Sequence, residues 1–229
     1  MRKVIRPKQI PMSLAKHGER WTKELLDAIA QAKKNGTKVP DRFYNKYKKD
    51  DVLEALKRMY GDKVFSYCCY CESSINDVSY EQIEHRMPKR KTLDKYPRKT
   101  YDWKNLHLAC GKCNGHKKDK YDENEPILDA AVDDIEQHLG YKLTPTKGVY
   151  RETLSAQGIT TVEHADLDRP SLREARRRIW VTTENTISEI RQLGRGAKAY
   201  TAQKALRDTC EDEHGSLIKY LMIRGGVWS

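Results

Sequence analysis

The chain has 229 residues, 34% of them charged and 8% aromatic, with a formal net charge of +11. Its apolar content of 38% suffices for a core, so wholesale disorder is excluded, and it contains no run of about 18 apolar residues to cross a membrane. The charge is uneven: net +9 over residues 1–63, +3 over 64–124, −6 over 125–168 and +5 over 169–229. Two basic flanks suit a polyanionic partner, although charge alone carries no sequence specificity.

The N-terminal stretch MRKVIRPKQIPM is basic but lacks the apolar segment of a signal peptide, so the expected location is the cytoplasm. Residues 13–34 place Leu14, Trp21, Leu25, Ala28, Ile29 and Ala32 at mostly helical spacing, and Asn35-Gly36 supplies a stop. The segment FYNKYKK is aromatic and basic, suited to a short helix or loop with packed rings. Asp50 or Asp51 is expected to cap a second helix, with Val52, Leu53, Leu56 and Met59 inward and Gly61 at its end.

Phe65-Ser-Tyr then leads as a short strand into a knuckle at Cys68-x-x-Cys71. Residues 79–86 read as a strand, 87–102 as a polar loop, and 105–109 as a second strand by the alternation in NLHLA. A helix beginning near Gly111 carries Cys113, Asn114 and Lys117. Residues 125–168 read as an acidic connector with short strands around Val149–Tyr150 and at 159–162. Asp168-Arg-Pro-Ser opens a further helix, Gly194-Arg-Gly196 breaks it, and a last helical region covers 197–210. The tail GSLIKYLMIRGGVWS ends in apolar residues that look exposed, among them Leu221, Met222, Ile223, Val227 and Trp228. The organisation expected is thus a basic helical arm (1–63), a central core (64–124), the connector (125–168) and a helical C-terminal region (169–229) fit for partner docking. The fold class is α+β.

Two C-x-x-C pairs, Cys68 with Cys71 and Cys110 with Cys113, can close a tetrahedral zinc shell of four thiolates with no open position. Neither pair has the surroundings of a dithiol redox centre. Cys69 and Cys210 read as ordinary small apolar residues. A hairpin and one short helix make a very small core, and such a unit usually needs a staple.

Phosphodiester hydrolysis needs an activated water, neutralised phosphate charge and help for the leaving oxygen. Within the cysteine frame, His85 is the candidate general base, and Glu84 and Asn114 are hard oxygen donors for Mg²⁺ or Mn²⁺. Asn105 is cast as a positioner, since its amide can both donate and accept and so hold the loop that carries His85. Lys117, about one turn after Asn114, is placed to neutralise a phosphate. His107 is expected on the sheet surface. His116 either approaches the metal or sits in solvent.

The segments IEHRMPK and YDWKNLHLACGKCNGHKKDK together resemble the HNH (ββα-metal) endonuclease motif. In that family the acidic residue and the last Asn bind the catalytic metal, the His is the general base and the middle Asn supports it. The resemblance assigns those roles to Glu84, Asn114, His85 and Asn105. Glu84 stands where many members carry Asp. Over more of the chain, RKVIRP, NEPILDAAVDDIEQHLGY and DLDRPSLREARRRI are similar to the HNH subunit of Septu-type and retron-associated anti-phage systems. That similarity implies an ATPase partner encoded nearby. The nuclease motif implies a nucleic-acid substrate, DNA before RNA, and the composition gives no expectation of a membrane. The rival reading is a zinc-dependent nucleic-acid-binding or docking protein without chemistry, and the intact set of Glu84, His85, Asn105 and Asn114 argues against it.

Overall fold

The computed structural model describes residues 1–61, 65–89 and 97–228. Helix α1 (Met12–Asn35) buries Leu14, Trp21, Leu25 and Ala32 along one stripe. It stops at Gly36, whose left-handed φ of 64° lets its amide return to the Ala32 and Lys33 carbonyls. Helix α2 (Asp50–Met59) packs beside it through Val52, Leu56 and Met59. Neither Asp50 nor Asp51 is the N-cap of α2; that position is Lys49. Asp51 instead accepts from the backbone amide and hydroxyl of Ser13, each at 2.7 Å, and so caps the start of α1 from outside it. These bonds hold its carboxyl below the ordinary value against the opposing effect of burial.

The expected strand before the first cysteine pair is instead a pair of isolated bridges, Gly61 with Ser66 and Tyr67 with Ser74. A short helix α3 (Ile75–Val78) leads into β1 (Glu81–His85), which pairs antiparallel with β2 (Leu106–Cys110). The register sets Glu81 opposite Cys110, Glu84 opposite His107 and His85 opposite Leu106. All of β2 is buried. Helix α4 (Gly111–Lys117) follows directly. The stretch 90–96 of the expected loop, and the expected boundary at 63–64, lie outside the described residues.

Beyond α4 the chain forms α5 (Ile135–His138), the hairpin β3 (Leu139–Thr144) with β4 (Gly148–Thr153), and helices α6 (Ala156–His164), α7 (Pro170–Gln192), α8 (Ala197–Asp208) and α9 (Gly215–Arg224). The strand expected at 159–162 is therefore helical. Ser155 caps α6 by accepting from the Gly158 amide, and this local bond outweighs the β-branched run Ile159-Thr-Thr-Val. Gly158 allows the helix to dock closely, since a Cβ there would stand 2.3 Å from the His138 carbonyl oxygen.

Among the described residues the buried apolar side chains form two clusters. The first gathers α1, α2, the knuckle and the β1–β2 hairpin, together with Ile127, Leu128, Ile135, Leu139, Ala165, Leu167 and Leu172. The second joins the β3–β4 hairpin to α7, α8 and α9 through Val149, Trp180, Ile187, Leu217, Leu221 and Met222. The tail therefore departs from its expected exposure. Leu221, Met222 and Val227 are buried, while Ile223 and Trp228 remain half exposed at 50% and 37%. Among the described residues no helix is long and apolar enough to cross a membrane.

Candidate active site and metal centre

The four cysteines of the two C-x-x-C pairs come together. Their sulfurs all lie within 4.8 Å of one another, and Cys71 and Cys110 are 3.9 Å apart. A tetrahedral ion with Zn–S bonds of about 2.3 Å sets its sulfurs roughly 3.8 Å apart. All four residues are buried and reduced, so the donor set, its spacing and its seclusion fit a zinc ion. Cys69 stays out of the group and packs in the core. The Cys113 amide points at the Cys110 sulfur at 3.4 Å. Arg169, the residue before α7, donates to the Cys113 sulfur at 3.5 Å. Such a cage with zinc carries a net charge of minus two, and Arg169 is the cation beside it.

The knuckle serves a second purpose. Tyr70, between the two cysteines of the first pair, is buried and donates its hydroxyl to Glu84 Oε1 at 3.2 Å. Lys117 reaches the same oxygen at 2.5 Å and donates to the His85 backbone carbonyl at 2.9 Å. Lys117 is completely buried, so its ammonium belongs to Glu84 rather than to a phosphate. The sequence reading placed it one turn after Asn114 but assigned its charge to a substrate phosphate, whereas the structure turns it inward onto Glu84. Burial raises the Glu84 carboxyl above its ordinary value, with Lys117 and Tyr70 opposing that rise.

His85 is buried and lies edge-on against Tyr47, with ring centres 4.5 Å apart. Its Nε2 is 2.9 Å from the Thr100 backbone carbonyl. A carbonyl can only accept, so Nε2 holds the proton and Nδ1 carries the basic lone pair. Burial pulls the imidazole down to about 3, the Thr100 carbonyl opposes this, and Lys89 and Lys117 add to it. The ring is neutral near pH 7. Asn105 clamps the segment that presents Thr100: its Oδ1 accepts from the Met87 amide at 2.8 Å, and its Nδ2 donates to the carbonyls of Met87 and Lys99 at 3.0 and 3.1 Å.

Asn114 donates from its Nδ2 to Gln82 Oε1 at 2.6 Å, so its Oδ1 is the atom it can offer to a metal ion. Gln82 lies two residues before Glu84 on β1. Glu84, His85, Asn114 and Gln82 line one cleft of about 550 Å³, with Lys48, Lys49, Lys89 and Lys118 on its walls. Asn105 and Lys117 stand behind the cleft rather than in it. His116 is exposed and 3.3 Å from Asp166. His107 is buried, not on the sheet surface, with its ring nitrogens against the Tyr60 hydroxyl at 2.5 Å and Asp129 at 3.5 Å.

The sequence model of the HNH endonuclease family matches residues 68–120, from the first of the four clustered cysteines to just past α4. These residues form an HNH endonuclease domain. The HNH domain therefore holds both cysteine pairs and all of Glu84, His85, Asn105, Asn114 and Lys117. Two curated relatives are the Septu protein PtuB of Bacillus mycoides (strain KBAB4), 34% identical over 148 residues, 53% of this chain and 48% of that protein, and the Septu protein PtuB of Bacillus thuringiensis, 36% identical over 86 residues, 37% of this chain and 30% of that protein. The chain thus spans about half or less of the length of the curated relatives it matches. No solved structure matches.

Tyr70, Gln82, Thr100 and Arg169 belong to the site but not to the sequence reading. Gln82 had a signal, since strand alternation puts residues two apart on one face. Thr100 acts through its backbone, and Tyr70 and Arg169 act across the fold, so local pattern carries no trace of them.

Proposed function

We propose that this chain is a metal-dependent HNH endonuclease that hydrolyses phosphodiester bonds in nucleic acid. It acts in the cytoplasm as the effector of an anti-phage defence system, with an ATPase encoded nearby. The observation that carries this reading is the convergence of Glu84, His85 and Asn114 on one lysine-walled cleft of the HNH domain. The system and the partner are inferred from the likeness to Septu protein PtuB.

Glu84 and Asn114 would hold the catalytic ion, Mg²⁺ or Mn²⁺, since both offer hard oxygens to the same cleft. Bound there, the ion supplies charge neutralisation at the scissile phosphate. His85 Nδ1 takes the proton of the attacking water. The Thr100 carbonyl fixes the tautomer and stabilises the imidazolium as it forms. Asn105 holds that carbonyl in place, and Lys117 and Tyr70 orient Glu84 through one oxygen. The four cysteines, with structural zinc, fix β2 to the knuckle so that these groups keep their spacing.

The test is expression with the neighbouring ATPase gene in Mg²⁺ or Mn²⁺, followed by sequencing of all DNA and RNA ends. New ends are expected with the parent chain and fall by about 10²–10⁴-fold in His85→Ala. Ends that persist in His85→Ala would overturn the assignment. Nucleic acid bound but never cut would favour the reading as a binding protein.

A further inference from the structure

Among the described residues Tyr47, Tyr60, Tyr67, Tyr70, Tyr101 and Tyr141 are each 8% exposed or less, whereas Tyr80 and Tyr200 are widely exposed, and of these two Tyr80 lines the candidate site. Tyr80 is 70% exposed, and it lines the same cleft as Glu84, His85 and Asn114. Its backbone is pinned. The Gly111 amide donates to Ser79 Oγ at 2.7 Å, and that hydroxyl donates to the Tyr80 carbonyl at 3.2 Å. Its ring rests against Gly111, with Cζ 3.5 Å from where a Cβ would stand. The residue is thus an uncovered aromatic plane on an anchored backbone at the mouth of the site. Lys48, Lys49 and Lys118, all exposed, share the cleft, as does the carboxylate of Asp50.

We propose that Tyr80 is a stacking platform for an unpaired nucleobase beside the scissile phosphate, so that the cleft takes single-stranded or locally unpaired nucleic acid. The placement of that phosphate rests on the nuclease reading above; the platform itself does not. An aromatic ring stacks on any base, because every base has a π-face, and lysines along the strand meet its phosphates. A paired base already has both faces covered by its neighbours and cannot use the ring. The cleft, about 550 Å³, has the volume of a small-molecule pocket, room for a single nucleotide. Tyrosine loses little conformational freedom on binding, having two side-chain torsions, and the fixed Ser79–Gly111 contact reduces the loss further.

The experiment titrates the full-length chain, in a His85→Ala background so that strands persist, with fluorescein-labelled single strands of DNA and of RNA and with the matched DNA duplex. Tyr80→Ala should weaken single-strand binding roughly 5- to 150-fold. Tyr80→Phe, which keeps the ring, should stay within about two-fold, and duplex binding should change far less. A preference between the DNA and RNA strands names the substrate. A Tyr80→Ala affinity equal to the parent's, an equal loss on the duplex, or no single-strand binding by the parent would each overturn the proposal. Cleavage with His85 intact is measured in parallel. Strands bound through Tyr80 but left uncut would refute the nuclease reading and leave the platform standing; strands cut with no dependence on Tyr80 would do the reverse.

Discussion

Lys117→Met keeps the length of the side chain and removes its charge. In the parent, the ammonium is 2.5 Å from Glu84 Oε1 and 2.9 Å from the His85 carbonyl, and both Lys117 and Glu84 are buried. Without it, the carboxylate keeps the Tyr70 hydroxyl at 3.2 Å. Breaking a buried ion pair by removing one partner costs about 3–5 kcal/mol, a large share of a typical stability of roughly 5–15 kcal/mol. The orphaned His85 carbonyl is part of that figure, not an addition to it. Urea unfolding of the zinc-loaded protein at pH 7 should show the loss. Two further results follow from its electrostatic origin. The Glu84 carboxyl, already raised by burial, rises further in the variant. The folded state then binds more protons than the unfolded state over the interval between their values. The variant's deficit is therefore full above the raised folded value and shrinks as pH falls through it. Adding Glu84→Gln to Lys117→Met removes both charges and should recover most of the loss. A deficit under about 1 kcal/mol at pH 7, or a double variant no better than the single one, would refute the assignment of Lys117 to Glu84.

Zinc should copurify at about one equivalent, and Cys110→Ser should lose the metal and unfold the HNH domain, since all four ligands are needed to close the shell; metal analysis with circular dichroism reads both, and a zinc-free parent with native spectra would contradict it. Asp51→Ala should lower stability by about 0.5–2 kcal/mol through the start of α1, measured by thermal melting, and an unchanged midpoint would remove the capping role. His214 is buried beside Ser73, and burial lowers its imidazole from 6.5 to about 4. The unfolded state therefore takes up the proton first, so this contribution is complete above pH 6.5 and declines as pH falls toward 4. His214→Gln should flatten the decline in unfolding free energy between pH 6.5 and 5, with zinc content followed throughout, and an unaltered slope would assign it to another group.

The parts of the site that could be read in the sequence are those whose partners are close along the chain or share a ligand. The cysteine pairs state their own geometry, and Glu84-His85 and Cys113-Asn114 lie on a strand and on the helix that packs against it. The hairpin showed in the alternation of NLHLA, and α1 in its apolar stripe. What could not be read depended on contacts across the fold. Lys117 has the spacing of a solvent-facing helical lysine, and only the packing of α4 on β1 turns it inward. Asp51 looks like the cap of its own helix until α1 lies beside it. The helix at 156–164 was legible in principle from Ser155, but the β-branched residues after Gly158 carry the opposite propensity. The apolar tail looked like a surface because its partners, Trp180 and Ile187 on α7, are some thirty or more residues away.

The bond from Arg169 to the Cys113 sulfur has a consequence for the order of synthesis. A nascent chain that has emerged from the ribosome through α4 already contains the four clustered cysteines together with Glu84, His85 and Asn114. With zinc bound, the four-thiolate cage would be doubly negative before Arg169 is there to donate to it. The guanidinium arrives roughly fifty residues later, a matter of seconds at ordinary translation rates. Ser216, whose amide and hydroxyl reach Glu72 at the tip of the knuckle at 3.0 and 2.5 Å, comes later still. This part of the molecule is thus complete in sequence before the Arg169 and Ser216 contacts that brace it can form, and a truncated translation product would contain Glu84, His85 and Asn114 without them.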